Sequence, residues 1–170
     1  MVVAGVPARA VIVDRVAISV ANRVITLSEI DLRIRLTAFE NGMKPDFSPA
    51  FRKQATERLI DQKLVEREMD LGRYPRLAPA RKEQLLADYA TENFSSDAAA
   101  LGRALAGYEL TPADLAEDLA RQADLLTFLG LRFRPAGNTS NEQADSEMEA
   151  WLKDQRARIR IEYLQKDLAP

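Results

Sequence analysis

The chain contains no cysteine and no histidine. The first absence removes disulfides, thiolate nucleophiles and thiolate zinc sites, and it leaves the redox compartment unmarked. The second removes the commonest general base near neutral pH and the commonest metal ligand. Ser-His-Asp hydrolysis and His-ligated metal centres are therefore excluded within this chain, and any chemistry would fall to Asp, Glu, Lys, Tyr or Ser. Aromatic residues are sparse, at 6% with a single tryptophan. No run approaches the roughly 20 apolar residues of a membrane helix, so no membrane span is expected. Basic charge is not in excess either, since 24 Lys and Arg meet 26 Asp and Glu for a net charge of −2. Without a concentrated basic face, nucleic acid is not an expected partner. No cofactor and no metal are expected.

What remains is 170 residues with 46% hydrophobic and 29% charged side chains, enough for one domain with a packed core. The pattern reads as mostly α: a helical domain of about six helices with a short N-terminal β-hairpin covered by the C-terminal helix. Val16, Ile18 and Val20 alternate with Ala17 and Ser19, the period of a half-buried strand. Ala21-Asn22-Arg23 is a turn, with Asn22 the residue best suited to a left-handed conformation, and Val24–Leu27 is the returning strand. Ser28 is a helix cap with Asp31 three residues on, and Asn41-Gly42 is the stop. Ser48-Pro49 restarts a helix that runs to Leu71 with an apolar stripe through Phe51, Ala55, Leu59, Leu64, Val65 and Met69.

Further helices begin at Pro79, after Ser95 or Ser96, and at Thr111-Pro112. In the last of these Leu115, Leu119, Leu126 and Leu129 share one side, with Phe128 near the opposite edge. Residues 134–147 form a linker rich in turn residues, and 148–168 a closing helix with Met148, Trp151, Leu152, Ile159 and Tyr163 on one stripe. A lone hairpin is marginal in water, so its apolar face needs cover, and the closing helix is expected to supply it, docked on its own chain or swapped into a second copy. Residues 1–10 read as a disordered end or the tail of an export signal, with Ala8-Arg9-Ala10 as a small-x-small site.

Three stretches carry a family resemblance. Val13–Asp31 resembles the opening of the periplasmic SurA-type chaperones, a strand leading to a Ser-Asp or Ser-Glu helix start. Gln54–Gly72 resembles their second helix, and Glu149–Leu164, with Trp151, Leu152, Arg156 and Ala157, resembles their closing helix. The resemblance spans residues 11–168 as one chaperone core, with an N-terminal part over 11–133. Family members usually carry parvulin isomerase domains, which work through paired histidines, where this chain has only the 134–147 linker. The resemblance thus implies a periplasmic chaperone without isomerase activity, and not an enzyme. Its expected partners are unfolded or extended polypeptides, in particular segments of outer-membrane proteins. The alternative is a helical interaction or oligomerisation module with one dedicated partner, and a domain-swapped homodimer fits either.

Holding an unfolded client requires an adaptable apolar surface, which Met provides because its unbranched thioether repacks. Phe39, Met43 and Phe47, at the end of the first helix and in its loop, are candidates for peptide binding, as are Leu164 and Leu168. Core packing competes for each of them, and more strongly for Trp151 and Tyr163. Arg156, Arg158 and Arg160 read as a solvated face, and Asp14 with Glu29 as an improbable acid–base pair.

Overall fold

The computed structural model describes residues 14–133 and 141–169. The expectations for residues 1–10 and for 134–140 of the linker fall outside these. The order of elements is β1 (Val16–Val20), β2 (Arg23–Thr26), α1 (Leu27–Glu40), α2 (Pro49–Leu71), α3 (Pro79–Phe94), α4 (Ala98–Ala106), α5 (Pro112–Phe133), α6 (Asn141–Arg158) and β3 (Ile161–Tyr163). A short 3-10 turn at Lys166–Leu168 follows. The fold is mostly α, with six helices and a small antiparallel sheet among the described residues.

The sheet has three strands in the order β2-β1-β3, so the hairpin is completed by the far end of the chain. Ile18 faces Ile25 on one side and Tyr163 on the other, and Val20 faces Arg23 and Ile161. A bulge between Val16 and Ile18 inserts an extra residue, which shifts the inward face. Ala17, Ile18 and Val20 are therefore buried while Val16 is exposed, and the simple alternation fails at its first position. The left-handed turn residue is Ala21 (φ 53°), not Asn22. Its N–H donates to the Arg160 carbonyl at 3.0 Å, a bond that ties the turn to the returning chain.

Local chemistry explains most helix ends. α1 is capped by Thr26 and not by Ser28: Thr26 accepts from the Glu29 N–H, and the Glu29 carboxylate accepts from the Thr26 N–H. This capping box satisfies two otherwise orphaned donors. Ser28 instead bonds the Asp14 carboxylate. Thr111 and Asp114 make the same reciprocal arrangement at α5. Asp97, not Ser95 or Ser96, caps α4 through the Ala100 N–H at 2.9 Å. Gly42 takes φ 61° just beyond α1, a conformation that is cheap without a Cβ.

Three apolar clusters fill the interior. The first joins Ile18, Val20 and Ile25 of the sheet to Ile30 and Ile34 of α1, Leu59, Ile60 and Leu64 of α2, and Leu168. The second gathers Leu36 with Leu101, Leu105, Leu110 and Leu115 from the α4–α5 side. The third sets Val65 and Met69 of α2 against Phe128 and Phe133 of α5 and Ala144 of α6. Phe128 is fully buried here, an edge position no longer, with Trp151 at 5.5 Å and Tyr74 at 5.1 Å between ring centroids.

The closing segment differs from a single helix over 148–168. Helix α6 already includes residues 141–147 of the expected linker and stops at Arg158, and the chain then becomes strand. Cover for the hairpin is accordingly divided. Trp151 packs into the third cluster, Leu152 packs against both the third and the first, and Ile159, Ile161, Tyr163 and Leu168 pack with the first. Arg156 fastens α6 to α2: its guanidinium donates to Asp61 at 2.8 Å, to the Glu57 carbonyl at 3.0 Å and to the Glu57 carboxylate. It is a clamp and not part of a solvated face, unlike Arg158 and Arg160, which pair locally with Asp154 and Glu162 on the surface.

Burial separates the two C-terminal leucines. Leu168 is 2% exposed and Leu164 57%. In urea unfolding, Leu168→Ala is expected to cost roughly 2–4 kcal/mol, and Leu164→Ala to stay within about 0.5 kcal/mol. A chain ending at Arg158 should lose its sharp thermal transition; unchanged sharpness at the same temperature would show β3 to be dispensable.

Candidate functional site: a cleft between two helical layers

α1 and α2 pack closely together, and so do α3 and α5, but α2 and α5 meet over little of their length. The gap between them is a cleft of about 360 Å³, walled by α1 and α2 on one side, α5 on the other, and α6 at one end. Its apolar lining comes from Val65, Met69, Leu125, Met148 and Leu152. Two of the four methionines therefore converge here from positions far apart in the chain. Around them stand charged and amide side chains that are largely paired with one another.

Asp118 anchors this polar wall. It is fully buried although it lies on the same side of α5 as Leu115. Arg33 of α1 reaches it at 2.8 Å, Arg121 at 3.0 Å, and the Gln122 amide donates to it at 2.9 Å. Burial pushes the Asp118 carboxyl up, but the Arg33 and Arg121 charges and the hydrogen bonds outweigh it and hold the group below the ordinary carboxylate range. The same Gln122 amide donates to Glu40 at 2.8 Å, joining the end of α1 to α5. Partial burial, together with the Asp118 charge, pushes Glu40 up. Lower in the gap, Arg76 donates to Asp70 at 2.7 Å and reaches Asp124 at 3.4 Å, and Asp124 accepts from the Leu77 N–H at 2.7 Å. Burial also raises Asp61, against the opposing hydrogen bond and charge of Arg156.

Such a surface, apolar within and ringed by paired charges, can bind an apolar group. Among the described residues no cluster of Asp and Glu has the arrangement of a metal site. Asp14 and Glu29 serve structure, Asp14 bonded to Ser28 and Glu29 to the α1 cap and to Lys63 at 3.1 Å. Likewise, no helix among the described residues is long and apolar enough to cross a membrane.

The residues singled out from sequence are scattered around the cleft. Phe39 turns inward to the second cluster, edge-on to Tyr108 at 5.4 Å. Phe47 lies exposed between the guanidinium groups of Arg35 and Arg52, at 5.6 and 6.0 Å from its ring centre. Leu168 is core and is withdrawn as a surface candidate; Leu164 is exposed but lines neither the cleft nor the neighbouring notch. Met43 borders a small notch between α1 and α2. Sequence reasoning missed Met69, Leu125 and Met148, and the signal that was available was Asp118, a charge interrupting an apolar helix face.

No family model and no curated protein matches the chain.

The carboxylate at Asp118 favours the folded state while ionised. That contribution is present above about pH 4 and is lost as pH falls through the lowered value. Asp118→Asn is therefore expected to be less stable than the parent at pH 7, with the difference narrowing below about pH 4. Urea unfolding at pH 7 and pH 3 measures both.

Proposed function

We propose that the protein is a passive chaperone that holds unfolded polypeptide segments in the cleft between α2 and α5. The observation that carries this reading is the composition of the cleft: a methionine-containing apolar lining within a ring of charges that mostly satisfy each other. Apolar side chains of a client gain from burial there without demanding a fixed shape, because Met repacks. The ring of charge keeps the empty cleft solvated and limits self-association. The resemblance to SurA-type chaperones at Val13–Asp31, Gln54–Gly72 and Glu149–Leu164 supports the same reading. It adds the periplasm as compartment, outer-membrane protein segments as clients, and the absence of isomerase activity.

Leu126 and Leu131, exposed on α5 outside the cleft lining, favour a second reading in which one dedicated partner covers this helix. Promiscuity separates the two. A chaperone slows aggregation of several unrelated unfolded chains, whereas a dedicated module binds one folded partner.

Light scattering of an unfolded outer-membrane β-barrel protein diluted from urea is the direct test. Equimolar protein is expected to suppress scattering, and Leu125→Asp or Met148→Asp, each checked for native circular dichroism, to abolish most of that suppression. Proline isomerisation in a model peptide is expected to proceed at its uncatalysed rate. No suppression by the parent protein would remove the reading.

A further inference from the structure

The cleft continues past its own wall. Thr37 of α1 and Arg58 of α2 line both the cleft and the adjoining notch, which is bordered by Ile34, Met43, Phe51 and Ala55. Phe51 was expected on the buried stripe of α2 but is 46% exposed, and Met43 is 53% exposed. Two apolar patches thus lie on one track, separated by a polar saddle.

The charges along this track are uneven. Arg33, Arg76 and Arg121 each hold a carboxylate. Arg58, exposed on the saddle, has no ion pair or hydrogen bond among the described residues, and neither does Lys44 beside the notch. A cation left unpaired between two apolar patches, with Lys44 a second one at the notch and the cleft's other arginines matched, complements an anionic group on whatever lies across it.

Length sets the rest. Ala55 in the notch and Met69 in the cleft are both on α2, about 21 Å apart at the helical rise of about 1.5 Å per residue. An extended chain advances about 3.4 Å per residue and covers that distance in about six residues.

Building on the client-holding reading above, we infer that notch and cleft are two subsites of one groove. Its occupant is an extended polypeptide with two apolar anchors about six residues apart and an acidic side chain between them. One anchor enters between Met43 and Phe51, the other against Leu125, Met148 and Leu152 over the buried Met69, and the acidic group meets Arg58. Because Arg58 is solvent-exposed, the charge contact selects among segments more than it tightens binding.

Fluorescence anisotropy with labelled eight-residue peptides tests this. Arg58 lies about 4.5 Å along α2 from Ala55, so the peptides carry Phe at positions 1 and 7 with Asp, Ser or Lys beside one anchor, at position 2 or 6 to allow either chain direction, and a control places the two Phe residues side by side. The Asp peptide is expected to bind roughly three- to tenfold tighter than the Lys peptide, and the control to bind more weakly than both spaced peptides. Arg58→Glu, at an exposed position, should invert the Asp–Lys order, and Met43→Asp should remove the advantage of spaced anchors. Equal binding of all peptides, unaffected by Arg58→Glu, would overturn the two-subsite groove and leave the holding function standing if scattering is still suppressed. Failure to bind any peptide together with failure to suppress scattering would overturn both.

Discussion

The second edge of β1 is the constraint on which this fold depends. A strand in the middle of a sheet has two rows of backbone groups to pair, and leaving buried ones unpaired costs roughly the value of a lost hydrogen bond each. β2 satisfies one row through an immediate turn. The other row is satisfied, among the described residues, by β3 and by the Leu164 and Gln165 N–H groups on the Ala17 carbonyl at 2.9 and 3.1 Å. Bringing β3 there requires α6 to lie along α2, and the Arg156 contacts with Glu57 and Asp61 hold it in that position. The sheet, the apolar face of α2 and the closing segment are thus one unit, and none of them is adequately covered without the others.

That arrangement also creates the cleft. With α6 seated on α2, its Met148 and Leu152 close one end of the gap, while the second apolar cluster holds α3, α4 and α5 against the end of α1. Across the gap the two layers are joined by polar contacts, Arg33 to Asp118 and Gln122 to Glu40, and beside it by the second and third apolar clusters. Asp118 can remain charged in the interior because two guanidinium groups and an amide surround it.

Local signals in the sequence were reliable where one short-range interaction decides the outcome. Pro49, Pro79 and Thr111-Pro112 mark helix starts because a proline at the first helical position loses no hydrogen bond. Asn41-Gly42 marks a stop for the same kind of local reason. Where two local patterns compete, the reading failed. Thr26 with Glu29 and Ser28 with Asp31 both resemble capping boxes; the one that forms is at Thr26, where the backbone is still extended, while the Ser28 hydroxyl is taken by Asp14. Helical periodicity continues past Arg158 only if the alternation over Arg158–Tyr163 is ignored. In that stretch Ile159, Ile161 and Tyr163 alternate strictly with Arg158, Arg160 and Glu162, which is a strand pattern. The cleft was not legible at all, since Arg33, Met69, Asp118 and Met148 converge only through the packing of four helices. A charge on an apolar helix face points to such a site but does not name its partners.

The pairing of β1 with β3 also governs when the molecule can finish folding. β1 leaves the ribosome about 140 residues ahead of its second partner, a delay of roughly 7–30 s at ordinary rates of protein synthesis. Throughout that interval the nascent chain presents an open strand edge, joined once α2 has emerged by an uncovered helix face, and both invite association with other chains. Completion is necessarily a late event of high contact order, and folding should be slow for so helical a protein.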